Sequence, residues 1–159
     1  MIRNITVTVH MAQASSKMLL LGGVLAVMAC GSKGFPSIML PLDPEVTLSR
    51  FMSAVQANDL MSMSELWGTK DGPAARKMER AELNQRLRVM QIMLKHDRYE
   101  ITADASMAGL DDKTRAYHLR LVRLGCQVDV PFELVRVGEG WLVSVIDLTK
   151  AGNPARTCR

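Results

Sequence analysis

Val130-Pro131-Phe132-Glu133-Leu134-Val135-Arg136-Val137-Gly138-Glu139-Gly140-Trp141-Leu142-Val143 is the stretch that decides the fold. Large apolar residues recur at every second position as far as Leu134, Gly138-Glu139-Gly140 turns the chain, and a second apolar run continues from Trp141 to Leu148. Alternation of period two gives a strand with one buried face, and a glycine turn between two such runs gives an antiparallel hairpin. Working backwards, the first of these strands starts at Cys126 and sets Cys126, Val128, Val130, Phe132 and Leu134 on one face. Gly125 permits a turn or bulge ahead of it. Ala116 to Leu124 reads as another strand, with Tyr117, Leu119 and Leu121 alternating against His118 and Arg120, and Leu110-Asp111-Asp112-Lys113 turns the chain before it. Tyr99, Ile101, Ala103, Ala105 and Met107 alternate with Glu100, Thr102, Asp104 and Ser106 in a fourth strand.

Upstream of this meander the period changes to 3.6. Asp43-Pro44-Glu45 is a helix start: the aspartate caps free amides, proline suits the first turn, and glutamate favours the positive end of the dipole. Leu48, Phe51, Met52 and Val55 then give one apolar face. Asn58-Asp59 breaks this helix and caps a short second one carrying Leu60, Met63, Leu66 and Trp67, which Gly68 to Gly72 ends. A third helix is expected from near Pro73 to about His96, with Leu83, Leu87, Met90, Met93 and Leu94 on one side and Arg76, Glu82, Gln85, Arg88 and Lys95 on the other. The fold class is α+β, three N-terminal helices packed on a curved four-stranded antiparallel sheet over residues 43–148. Residues 149–159 read as a loose C-terminal tail.

Residues 1–29 have a different character. The run Met18 to Ala29 is apolar, is preceded by Lys17, and stops at Val27-Met28-Ala29-Cys30. It is too short for a spanning helix, which needs about 20 residues. With its small residue before a cysteine, the segment resembles a bacterial lipoprotein signal peptide. That resemblance implies cleavage before Cys30, lipidation of Cys30 as the new N-terminus, and a tether over residues 30–42 that begins Gly31-Ser32-Lys33-Gly34. Met11 would serve as the true start of a leader of ordinary length. The implied location is the bacterial cell envelope, with the domain anchored to a membrane by its lipid and facing the periplasm. Gly31 after the cysteine resembles lipoproteins sorted to the outer membrane.

Removing the leader leaves about 130 residues, enough for one domain. Arg3 and Lys17 go with it, so 18 of the 20 basic residues face 16 acidic ones. They are interleaved along the third helix as on a solvated face, and no nucleic-acid partner follows.

The helices-then-sheet order, the Asn58-Asp59 break and the glycine turn before Trp141 together resemble the nuclear transport factor 2-like cone fold, in particular its small bacterial lipoproteins of unknown role. The resemblance spans Asp43 to Leu148 and implies a conical pocket used for catalysis, for small-ligand binding or for pairing of subunits, and fold alone does not choose among these. Phe51, Met90, Tyr117, Phe132 and Trp141 are the expected pocket-lining residues.

Enzymes of that superfamily use a buried Asp or His with a polarising partner. His96, Tyr99, Asp104, Tyr117, His118, Asp129 and Asp147 are the titratable candidates here, and Asp147 on the last strand is the one singled out as a catalytic group. The superfamily's Asp/His dyad has no counterpart among them. Expected instead is a non-catalytic module for an apolar small molecule or an envelope protein, with a homodimer through the sheet as a further partner. The alternatives are a small isomerase- or dehydratase-like acid–base enzyme and an accessory subunit of an envelope complex. Eight methionines follow the leader, among them Met61, Met63, Met90 and Met93. Met90 and Met93 fall on the face of Leu87 and Leu94, which favours core filling over a cuprous site, and neither a metal nor a cofactor is expected. With Cys30 lipidated, Cys126 and Cys158 remain as an even pair suited to a disulfide, or as a buried thiol and a free one.

Overall fold

The structure, a computed structural model, describes residues 39–104 and 112–158. The leader, Cys30 and most of the tether lie outside the described residues, as do Ala105, Met107 and Leu110-Asp111. Three helices, α1 (Pro44–Ala57), α2 (Leu60–Leu66) and α3 (Arg80–Leu94), lie mid-chain ahead of a sheet. A two-stranded ribbon of β1 (Gly68–Thr69) and β2 (Gly72–Pro73) separates α2 from α3. The main sheet is an antiparallel meander in the order β3 (Arg98–Asp104), β4 (Thr114–Arg123), β5 (Cys126–Val137) and β6 (Gly140–Ile146).

Local chemistry sets the helix ends. Asp43 Oδ1 accepts the amides of Glu45 at 2.8 Å and Val46 at 3.0 Å, satisfying two of the free donors of α1. Asn58 closes that helix in the left-handed region, at φ 56°, and Asp59 caps α2 by accepting from the amide and hydroxyl of Ser62. These bonds draw the Asp59 carboxyl below its usual range, the Ser62 hydroxyl contributing most. The third helix starts later than its periodicity suggests. Pro73 leads into a 3-10 turn at Ala74–Arg76, and Glu79 caps α3 by accepting from Ala81 and Glu82. Trp67, expected in the second helix, lies beyond it in extended backbone.

Alternation in β4 and β5 turns Tyr117, Leu119 and Leu121 toward Phe132, Val130 and Val128, their register partners, on the helix side of the sheet. There they join Leu48, Phe51, Met52, Val55, Leu87 and Leu94 in one core cluster. The register shifts once between β3 and β4 and once between β5 and β6, at Ile101/Ala103 and Glu133/Leu134. Such irregularities bend strands and raise their twist.

The tail is held rather than loose. Cys126 and Cys158 form a disulfide, the Cys158 amide donates to the Leu124 carbonyl at 3.0 Å, and Ala151 is fully buried. Gly125 makes this closure sterically feasible, because a Cβ there would lie 2.2 Å from the Cys158 carbonyl oxygen. Leu124-Gly125 is a two-residue hairpin loop with both residues left-handed, at φ 47° and 77°. That is the type I′ pattern, which favours Asn-Gly and strains a leucine. Leu124 is half exposed, so little burial is at stake. Leu124→Asn should therefore stabilise the domain by about 1 kcal/mol. Urea titration should show the midpoint rising at unchanged slope.

Candidate functional site

The long helix and the last strand leave a groove of about 600 Å³ between them. Its apolar wall is Trp67, Val89, Met90, Val145, Ile146 and Leu148, and Glu82, Gln85, Arg86 and Ser144 supply the polar part. The sequence positions each side. Residues 82, 85, 86 and 89 recur at spacings of three and four along α3, so they share a stripe beside the buried one of Leu83, Leu87, Met90 and Leu94, and Met90 borders both. Trp67 is clamped through its backbone: its N–H donates to Met63 at 3.0 Å, its carbonyl accepts from Ala74 at 2.8 Å, and it bridges Val143 of β6. β6 is an edge strand of the sheet, and Val145 on it is 51% exposed, like Val89 across the groove at 49%.

Charge in the groove is nearly balanced. Arg86 and Glu82 pair at 2.7 Å, one helical turn apart, with both side chains more than half exposed. An exposed i,i+4 pair of this kind contributes about 0.3–0.5 kcal/mol. A concave, largely apolar wall with a few polar groups, within the usual 300–1,000 Å³ of ligand sites, suits an apolar small molecule.

All five expected pocket-lining residues belong to the core between helices and sheet, and of them Met90 also borders this groove, while Phe51, Tyr117, Phe132 and Trp141 do not. Arg115 stacks its guanidinium 5.6 Å from the Trp141 ring. The methionines disperse: Met63 is fully buried and Met61 77% exposed. Among the described residues no group of three or more His, Cys, Asp or Glu side chains is placed to hold a metal ion.

The titratable candidates are distributed, each with its own neighbours. His96 is buried, with Nδ1 2.9 Å from the Leu94 carbonyl and its ring edge-on to Tyr99. Asp129 accepts from Arg120 at 3.2 Å on the outer sheet face, which His118 shares, and the side chain of Asp104 lies outside the described residues. Asp147 follows β6 and turns back on itself, accepting the Thr149 hydroxyl and amide. The Thr149 hydroxyl, first of several causes, holds the Asp147 carboxyl below the usual carboxylate range. A lowered value is the opposite of what a general base at neutral pH needs. By linkage this carboxylate helps the fold above the unfolded value of about 3.9 and ceases to help as pH falls through its lower folded value. Asp147→Asn should keep the fold and ligand retention at pH 7 with a small loss of stability, and an NMR titration of the native protein should place the Asp147 midpoint below about 3.9.

Arg123 was not singled out from the sequence, although it has the parity of Leu119 and Leu121 and so belongs to the buried face. It is 4% exposed and donates to the carbonyls of Met93 and Lys95 at the end of α3 and to that of Ala151 in the tail. Burial pulls its guanidinium below the ordinary arginine value. Three carbonyls in place of a carboxylate, two of them at the negative end of a helix, satisfy the cation. This is structural work, carried out on the side of α3 away from its capped start.

No family model matches the chain, and no curated protein does. Among solved structures it is similar to a phospholipid-binding protein from Ralstonia solanacearum, solved in complex with a phospholipid, at 10% identity over 64% of this chain and 73% of that one, with a TM-score of 0.37.

Proposed function

We propose that the protein is a lipid-anchored binding module of the bacterial envelope that holds an apolar small molecule in the groove between α3 and β6. The observation that carries the binding half is the groove itself, where Val89 and Val145 leave apolar surface open beside Trp67 and Met90. Support for a non-catalytic role is that His96, Asp129 and Asp147 are each engaged by structural neighbours rather than by one another. The anchor rests on Val27-Met28-Ala29-Cys30 after an apolar core, and placement in the outer membrane rests on Gly31. Helices followed by a bent antiparallel sheet, with a glycine turn before Trp141, support membership in the nuclear transport factor 2-like group.

Fractionation tests the anchor. Cys30→Ser protein should appear in the soluble fraction after a salt wash, and its retention on membranes would refute lipidation. Titration with a fluorescent fatty acid tests the groove: Val89→Glu with Val145→Glu should weaken binding at least tenfold, while unchanged affinity would place the ligand elsewhere.

A further inference from the structure

We propose that the corner where the chain enters the domain, formed by Met39 and Leu42 beside Arg76 and Lys77, is a docking face that rests on the phospholipid bilayer. This rests on the reading of Cys30 as the lipidated residue. Leu40 and Pro41 are pinned against the start of β6: the Trp141 amide donates to the Pro41 carbonyl at 3.0 Å, and a Cβ on Gly140 would meet the Leu40 Cβ at 2.4 Å. Glycine at 140 therefore allows the incoming segment to lie flat on the strand. With that backbone fixed, the side chains on either side of the pinned pair are thrown outward, Met39 at 83% exposure and Leu42 at 70%. Two large apolar side chains held in water on a fixed backbone are poorly placed for a free domain and well placed for an interface.

The same corner forms a cleft with Asp71, Arg76, Lys77 and Glu139. Arg76 and Lys77 are exposed, and Glu139 is already engaged by Arg136 at 3.4 Å. Long cationic side chains around apolar ones suit a bilayer surface, because their stems can lie along the acyl boundary while their charges reach the phosphates. The position of the anchor favours this partner over a protein. Cys30 is nine residues from Met39, so the chain between them can reach at most about 30 Å from this corner. The anchor therefore keeps this corner, more than any other part of the domain, at high effective concentration beside the lipid.

The test uses the lipidated protein purified from its own membrane and reconstituted in vesicles of phosphatidylethanolamine and phosphatidylglycerol. An environment-sensitive fluorophore is attached at Leu42→Cys or, separately, at Glu100→Cys, an exposed position on β3. Glu100 pairs through Arg120 with Asp129, eight residues along β5 from Val137, about 26 Å away. The probe at 42 should shift to the blue and be quenched several-fold more by spin-labelled lipid than the probe at 100. Equal, water-like signals from both positions in protein that floats with the vesicles would overturn the docking face while leaving the anchor intact. Protein that fails to float would overturn the anchor and the docking face together.

Discussion

Replacing Arg123 by methionine should lower the free energy of unfolding by about 3 kcal/mol, and equilibrium urea titration would measure it. The side chain is buried and satisfies carbonyls from two separate segments, the end of α3 and the tail at Ala151. Methionine keeps much of the volume and removes every donor, so the carbonyls of Met93, Lys95 and Ala151 lose a charged partner that water cannot replace without opening the site. A hydrogen bond to a charged group is worth about 1.5–3 kcal/mol, and the loss of three is offset by ending the desolvation of the cation itself. Arg123→Lys keeps the charge on a single nitrogen without the planar fork, and should recover less than half of the loss. A cost below about 1 kcal/mol for Arg123→Met would mean that the carbonyls find other partners.

Leu87→Ala should cost about 2–5 kcal/mol, whereas Arg88→Ala, one residue further along, should stay within about 0.5 kcal/mol. Leu87 is 1% exposed at the middle of the α3 face that packs on the core, so truncation combines lost transfer energy with a cavity. Arg88 is exposed. The contrast reads the orientation of α3 directly, and with it the stripe that faces the groove, since Val89 and Met90 follow from the same helical phase.

Where one residue's own chemistry decided the local structure, the sequence was enough to read it. Asp43-Pro44-Glu45 starts α1, Asn58-Asp59 ends one helix and caps the next, and the strict alternation of Cys126 to Leu134 places those side chains on one side of β5. The start of α3 was illegible because its cap is Glu79, a residue type that periodicity counts as helix interior. The tail was illegible for another reason. Ala151 to Cys158 has no apolar pattern of its own and is ordered by partners far along the chain, the Arg123 guanidinium, the Leu124 carbonyl and the Cys126 sulfur. The groove arises the same way, from Trp67 beyond α2, Val89 on α3 and Val145 on β6, which come together only through tertiary packing. The residues expected to line a pocket are large and inward-facing, and that property fills a core as readily as it lines a cavity. Phe51, Tyr117, Phe132 and Trp141 are in the core for this reason.

Mass spectrometry of the molecules that copurify with the mature protein from its own membrane is the most direct measurement of what the groove holds. The wild-type protein should retain one apolar small molecule per chain, and the paired Val89→Glu and Val145→Glu variant, folded to the same stability, should retain none. An unoccupied wild-type protein, or equal occupancy in the two proteins, would contradict a ligand site between α3 and β6.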